Sequence, residues 1–299
     1  MKILLIGSNG QLGKALIKSK PQGHKLITTN KNNINLENKN SITSFIKKVN
    51  PDWIFNCGAY TNVDKAEIEK ELAFKINAEG PKTISEVLLE TKGKLLQIST
   101  DFVFDGQRSS PYPTNHPRSP INSYGLTKSK GEEFIEEILP NKNQAIILRT
   151  SWLMGPTGSN FALKMLNLIK TKKEIKVVAD QWGCPTSTRT LANACWRIIT
   201  IKEKELFSKT NVLPILHWCD EGFASWYDVA VEIRDISTEL GLIKNPAKLT
   251  PINNKSYPST TKRPNYSLLS CLSTRKLLQL EGENWRITLK KDLESLLEN

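Results

Sequence analysis

Residues 4–16 read LLIGSNGQLGKAL: a short apolar run, glycines at 7, 10 and 13, then apolar residues at helical spacing. A strand that ends in a glycine loop and opens a helix can bring bare backbone up to a pyrophosphate. The helix N-terminus there offers unpaired N–H groups and the positive end of its dipole. The spacing is Gly-x-x-Gly-x-x-Gly and not the Gly-x-Gly-x-x-Gly of many dehydrogenases, and three glycines alone also describe a tight turn. Gly7, Gly10 and Gly13 therefore predict a dinucleotide loop only if the chain around them builds a parallel sheet.

It does so by pattern. After residue 16, strand-like segments (HKLITTN, DWIFNCG, KLLQIST, QAIILRTSW) alternate with helix-like ones (NSITSFIKKVN, residues 64–92, YGLTKSKGEEFIEEI). Such alternation predicts an α/β, Rossmann-type, doubly wound parallel sheet with helices on both faces. From about residue 151 the pattern becomes irregular and richer in Trp, Pro and Thr. We expect residues 1–150 to form the NAD(P)-binding part and 151–299 a smaller substrate-binding lobe interleaved with it. IKVVAD and PILHWCD are expected as late strands of the sheet.

Composition narrows the function classes. The 299 residues are 38% hydrophobic and 24% charged, with no apolar run near the roughly 18 residues of a membrane span. The opening apolar run, ILLI, is too short for a signal peptide and enters the glycine loop, so it reads as a strand. Five scattered cysteines without Cys-x-x-Cys, and three lone histidines, give no zinc spacing and fit reduced thiols in a cytoplasm. The net charge of +12 comes from dispersed lysines, without the clustered basic and aromatic residues of a nucleic-acid site. It is compatible with a phosphorylated small substrate.

Three further features carry chemistry. No carboxylate stands in LITTNKNN (residues 26–33), where an NAD site places Asp or Glu on the ribose 2′-hydroxyl. Lys31 there could neutralise a 2′-phosphate, which favours NADPH over NADH while leaving NADH possible. The strand LLQIST ends in STDFVFDG (99–106), hydroxyls at the edge where open α/β sheets bind ligands. Then comes NSYGLTKSKGEE, with Tyr124 and Lys128 one helical turn apart. A phenol of pKa about 10 exchanges protons poorly near neutrality, and an adjacent cation is expected to lower it.

The glycine loop, the Ser-Thr-Asp strand end and the Tyr-x-x-x-Lys helix together resemble the extended short-chain dehydrogenase/reductase superfamily. NCGAYTNVDKAE, INAEGP, QISTDFVFDG, SYGLTKSKGEE, LRTSWLMG, NFALKML, DQWGCPT, SWYDVA and YPSTTKRPNYSLL, in that order, narrow the resemblance to the dTDP-4-dehydrorhamnose reductase family. The resemblance implies NAD(P)H-dependent reduction of a 4-keto sugar nucleotide to dTDP-L-rhamnose. It places Gly10, Gln11 and Leu12 on the cofactor pyrophosphate, Asn35 and Leu36 near the adenine, and Ala59, Tyr60 and Thr61 towards the nicotinamide. It makes Tyr124 the proton donor and Lys128 the holder of the nicotinamide ribose, with Thr100 bonding the reacting oxygen. Asp101 and Trp152 meet the sugar, and Lys262 and Arg263 the nucleotide diphosphate.

The chain departs from the family at two of these places, with Phe102 where Tyr is usual and Asn35 where Asp is common. Ala15 replaces the glutamate through which some relatives form a metal-bridged dimer, which leaves a monomer or another homodimer, and no metal is expected. Two other readings compete. One is a regulatory subunit resembling the beta subunit of methionine adenosyltransferase, against which Tyr124, Lys128 and Thr100 speak. The other is an epimerase or dehydratase, which generally adds carboxylates at the strand end; here Asp101 has no Glu after it.

Overall fold

The computed structural model describes residues 1–139, 143–202, 206, 214–258 and 261–297. Six parallel strands form the main sheet: β1 (Lys2–Ile6), β2 (Lys25–Thr29), β3 (Trp53–Asn56), β4 (Lys94–Thr100), β5 (Ala145–Thr150) and β10 (Ile215–His217), in the order β10-β5-β4-β3-β1-β2. Every residue of β3 and β5 is buried, as expected of strands covered by helices on both faces. One apolar layer packs α1 (Gln11–Lys18) and α8 (Thr188–Thr200) on the sheet. The other packs α2 (Lys39–Val49), α5 (Gly80–Thr91) and α6 (Ser123–Ile138) on the opposite face. The strand order reverses between β1 and β3, which opens a crevice at their carboxyl ends.

The two late strands part company. PILHWCD returns to the main sheet as β10, beside β5. IKVVAD does not: β7 (Glu174–Val178) pairs with β12 (Lys248–Ile252) in a separate two-stranded sheet. Glu174 and Lys176 are exposed on β7, and a strand with one wet face does not fit inside a parallel sheet covered on both sides. Around that ribbon α7 (Phe161–Thr171), α9 (Trp226–Glu239) and α11 (Trp285–Glu294) build a second apolar core.

The helical stretch 64–92 is broken. It runs as α3 (Val63–Ala66), α4 (Lys70–Phe74), a π-helical turn (Lys75–Glu79) and then α5. Pro81 has no N–H for the carbonyl of Asn77, and wide π turns serve where a regular helix loses its ladder. Gly131 of α6 uses the opening: a Cβ there would lie 2.2 Å from the Asn77 carbonyl oxygen. The Asn77 side chain meanwhile grips the chain after β3, accepting from Tyr60 N at 2.8 Å and donating to Tyr60 O at 3.0 Å. Among the described residues no helix is long and apolar enough to cross a membrane.

Candidate active site

A cavity of about 710 Å³ opens at the carboxyl ends of the main sheet, between it and the smaller lobe. Its floor starts at the glycine loop. Gly7 has φ +83°, and a Cβ there would lie 2.7 Å from Gly58 N, so only glycine lets the loops after β1 and β3 touch. A Cβ at Gly13 would lie 2.4 Å from the Gly7 carbonyl, so the helix start is drawn tight beneath the loop. Gly10, at the N-cap of α1, offers no side-chain cap, and the first turn carries no acidic residue. Backbone N–H groups with no side chain in front of them, facing a large cavity, fit a dinucleotide pyrophosphate.

The Tyr-x-x-x-Lys helix is held by its ends. Asn122 caps α6 by accepting from Gly125 N at 2.8 Å, and its amide donates to the Lys262 carbonyl at 2.9 Å. Glu67 accepts from Ser123 N and Oγ at 2.7 and 2.8 Å, setting a carboxylate at the positive end of the helix. A Cβ at Gly125 would lie 2.1 Å from the Phe102 carbonyl oxygen. Any side chain at 125 would push α6, and Tyr124 with it, off the strand end that carries Thr100.

Tyr124, Lys128, Thr100 and Asp101 all line the cavity. Thr100 Oγ1 donates to Asp101 Oδ1 at 3.1 Å and accepts from Phe102 N at 3.2 Å. Lys128 points its ammonium at the Ile98 carbonyl, 2.6 Å away. Burial dominates the protonation of all three ionisable groups. It pushes Tyr124 up to about 12, outweighing the lowering pull of the Thr100 hydroxyl, and Asp101 adds a small upward push. It draws Lys128 down to about 8, against the opposing pull of Glu132 and Cys57. It raises Asp101 to about 7, against the opposing pull of Ser267 and Thr100. The phenol thus stands above its ordinary value and not below it, as the adjacent cation had implied. Desolvation sets that direction, and the Lys128 ammonium is engaged by the Ile98 carbonyl.

Trp152 forms a wall of the cavity from a backbone at φ +45°, left-handed and unusual for a bulky residue. It is held there by stacking on Trp226 at a 3.5 Å ring separation, and by Gly183, where a Cβ would lie 2.3 Å from the indole. Arg263 also lines the cavity and donates to both Asp64 carboxylate oxygens at 2.8 and 2.9 Å. Phe102 meets Tyr124 edge-on at 5.7 Å.

Gly7, Gly10, Gln11, Leu12, Gly13, Ala59 and Thr61 line the same cavity; Lys31, Asn35, Leu36, Tyr60 and Lys262 do not. Lys31 is exposed and paired with Glu37 at 2.7 Å. Asn35 turns its carbonyl back to Glu37 N at 3.1 Å. Leu36 is buried behind Gly58, where a Cβ would meet it at 2.8 Å. The Tyr60 phenol donates to Glu69 at 2.7 Å. Lys262 is exposed, and its carbonyl receives Asn122. Ser259 and Thr260, within YPSTTKRPNYSLL, lie outside the described residues.

Sequence reasoning passed over Cys57, Thr150, Gly158, Ser159, Asn160 and Trp226, which also line the cavity. Cys57, Thr150, Asn160 and Trp226 lie within NCGAYTNVDKAE, LRTSWLMG, NFALKML and SWYDVA, but no local pattern gives them a role. Thr150 faces Thr100 across the β4–β5 register, a position that could have signalled it, and its hydroxyl is buried without a hydrogen-bond partner.

The family model described as the RmlD substrate binding domain matches residues 1–298. A dTDP-4-dehydrorhamnose reductase of Aggregatibacter actinomycetemcomitans is 33% identical over 291 residues, covering 97% of each chain. The crystal structure of a dTDP-4-dehydrorhamnose reductase from Clostridium acetobutylicum is 35% identical and superposes with a TM-score of 0.89, covering 99% of this chain and 100% of that one. That of the Bacillus anthracis dTDP-4-dehydrorhamnose reductase, in complex with NADP, is 31% identical with a TM-score of 0.87, covering 98% and 99%. Matched from end to end by that model and by these reductases, the chain belongs to the RmlD substrate-binding-domain family.

Proposed function

We propose that the protein reduces the C4 ketone of dTDP-4-dehydrorhamnose to dTDP-L-rhamnose with NADPH, as a cytoplasmic enzyme. Residues 1–150 mainly bind cofactor and 151–299 mainly bind substrate. The observation that carries this reading is the meeting, in one cavity, of a bare glycine loop, the half-buried Tyr124 and the buried Thr100 and Lys128. When held on the glycine loop, NADPH would supply the hydride for C4. Tyr124, kept protonated by burial, gives its proton to the C4 oxygen, so a C–H and an O–H bond form as the carbonyl π bond is lost. Thr100, turning its one O–H away from Asp101, donates a second hydrogen bond to that oxygen as charge develops on it. Lys128 holds the nicotinamide ribose, and its charge acts on the phenolate that the transfer leaves behind. Asp101 and Trp152 orient the sugar.

The test is loss of reduced-nicotinamide absorbance with dTDP-4-dehydro-6-deoxy-L-mannose as substrate, for NADPH and NADH in parallel. Turnover is expected with a kcat/KM for NADPH at least equal to that for NADH; no turnover with either would refute the proposal. Lys31→Glu is expected to move the ratio towards NADH, although Lys31 is exposed and pairs with Glu37. An unchanged ratio removes Lys31 from cofactor recognition.

Arg263 serves ground-state anchoring of the diphosphate, for which its planar fork is suited. Arg263→Ala is expected to raise KM for the sugar nucleotide about tenfold or more while kcat falls little, the signature of lost uniform binding. A fall in kcat at constant KM would assign the residue to the chemistry.

A further inference from the structure

Two walls of the cavity belong to different parts of the chain, and one side chain joins them. Gln11, the first residue of α1, donates from Nε2 to the Ser159 carbonyl at 3.3 Å and accepts at Oε1 from Asn160 Nδ2 at 2.8 Å. The same Asn160 amide nitrogen binds the Gly155 carbonyl at 2.9 Å and the Thr157 carbonyl at 3.4 Å, folding residues 155–160 into a compact turn. Its carbonyl caps α7 by accepting from Leu163 N at 2.9 Å. Gly158 completes the fit. It has φ +79°, and a Cβ there would lie 2.8 Å from Gln11 Cγ, so the close approach of this turn to Gln11 requires glycine.

We infer that the turn 155–160 is a strap latched to the glycine loop by Gln11 and Asn160, which retains the bound dinucleotide and opens to release it. Gly158, Ser159 and Asn160 line the same cavity as Gly7, Gly10 and Gly13. A dinucleotide on the glycine loop therefore has this turn as a neighbour on the lobe side. Gly158 and Ser159 are exposed, and two side-chain hydrogen bonds tie the turn to the glycine loop, few enough to break and re-form. Asn160 and Gln11 are positioning residues in this role and touch no reacting atom.

The inference rests on the dinucleotide reading of the glycine loop, and its test needs no sugar substrate. NADPH dissociation is measured by stopped-flow displacement from wild type, Asn160→Asp, Gln11→Met and the double variant. Aspartate keeps the α7 cap but loses the amide donor, and methionine keeps the volume of Gln11 without its polar atoms. Each single substitution is expected to raise the dissociation rate about tenfold, the effect of one or two lost hydrogen bonds. The association rate should change less. The double variant should be no faster than the faster single one, because both break one latch. Thermal denaturation of the same proteins separates a latch from a merely structural role. A lower Tm with NADPH dissociation within twofold of wild type overturns the strap, as do effects that add in the double variant. A wild type that binds no NADPH at all overturns the strap and the cofactor reading together.

Discussion

Tyr124→Phe is expected to lower kcat by about 10²–10⁴-fold, the usual worth of general acid catalysis, with binding of cofactor and sugar nucleotide largely intact. The substitution removes one oxygen and keeps the ring. The ring's contact with Phe102, edge-on at 5.7 Å, survives, and so does the seating of α6 through Gly125 on the Phe102 carbonyl. The phenol is suited to be the proton source because burial holds it near 12, fully protonated at neutral pH. Such a phenol is a weak acid in the free protein, and the transfer relies on Thr100 and the Lys128 charge to stabilise the phenolate as it forms. Single-turnover hydride transfer isolates this step from product release. Reduction of the ketone at near the wild-type rate would mean that another group supplies the proton. A regulatory subunit would show no turnover in the wild type to lose.

Lys128→Met should do two kinds of harm. The contact to the nicotinamide ribose disappears, so NADPH binding weakens. The positive charge beside the proton transfer disappears as well, so hydride transfer slows at saturating cofactor, by a factor comparable to that of Tyr124→Phe. The two substitutions should not add, since both act on one proton transfer.

The pH profile gives a second readout. Burial draws Lys128 down to about 8, so in the free protein its charge is present below that pH and lost above it. Wild-type kcat/KM, which reports groups of the free enzyme, should therefore decline above about pH 8. In Lys128→Met that alkaline limb should vanish, any residual limb lying higher, in the direction of the Tyr124 phenol. A limb near 8 that persists in the variant would assign it to a different group.

How much of this was legible beforehand differs from residue to residue. The main sheet was legible because each strand carries its own signal. KILLI, WIFN and AIILRT are apolar runs of strand length followed by turns or helices, and a parallel sheet demands that composition. IKVVAD was misplaced because a short run with two charged residues does not say which neighbour will pair with it. The break at Pro81 was visible as a proline, but its use by Gly131, about fifty positions further on and in another helix, was not.

The sequence by itself determined the α/β alternation, the glycine loop, and the one-turn spacing of Tyr124 and Lys128, because each depends on residues close together in the chain. Only the tertiary structure decided the protonation of the site. Desolvation depends on what packs around a side chain, and it raised Tyr124 where a neighbouring cation alone implied a lower pKa. The tertiary structure also decided which of the proposed cofactor and substrate residues share the cavity, and it set Lys31 on the surface beside Glu37. Gln11 and Asn160, 149 positions apart in sequence, became partners for the same reason. Contacts between distant segments are set by how helices and lobes pack on the finished sheet, and no local pattern encodes them.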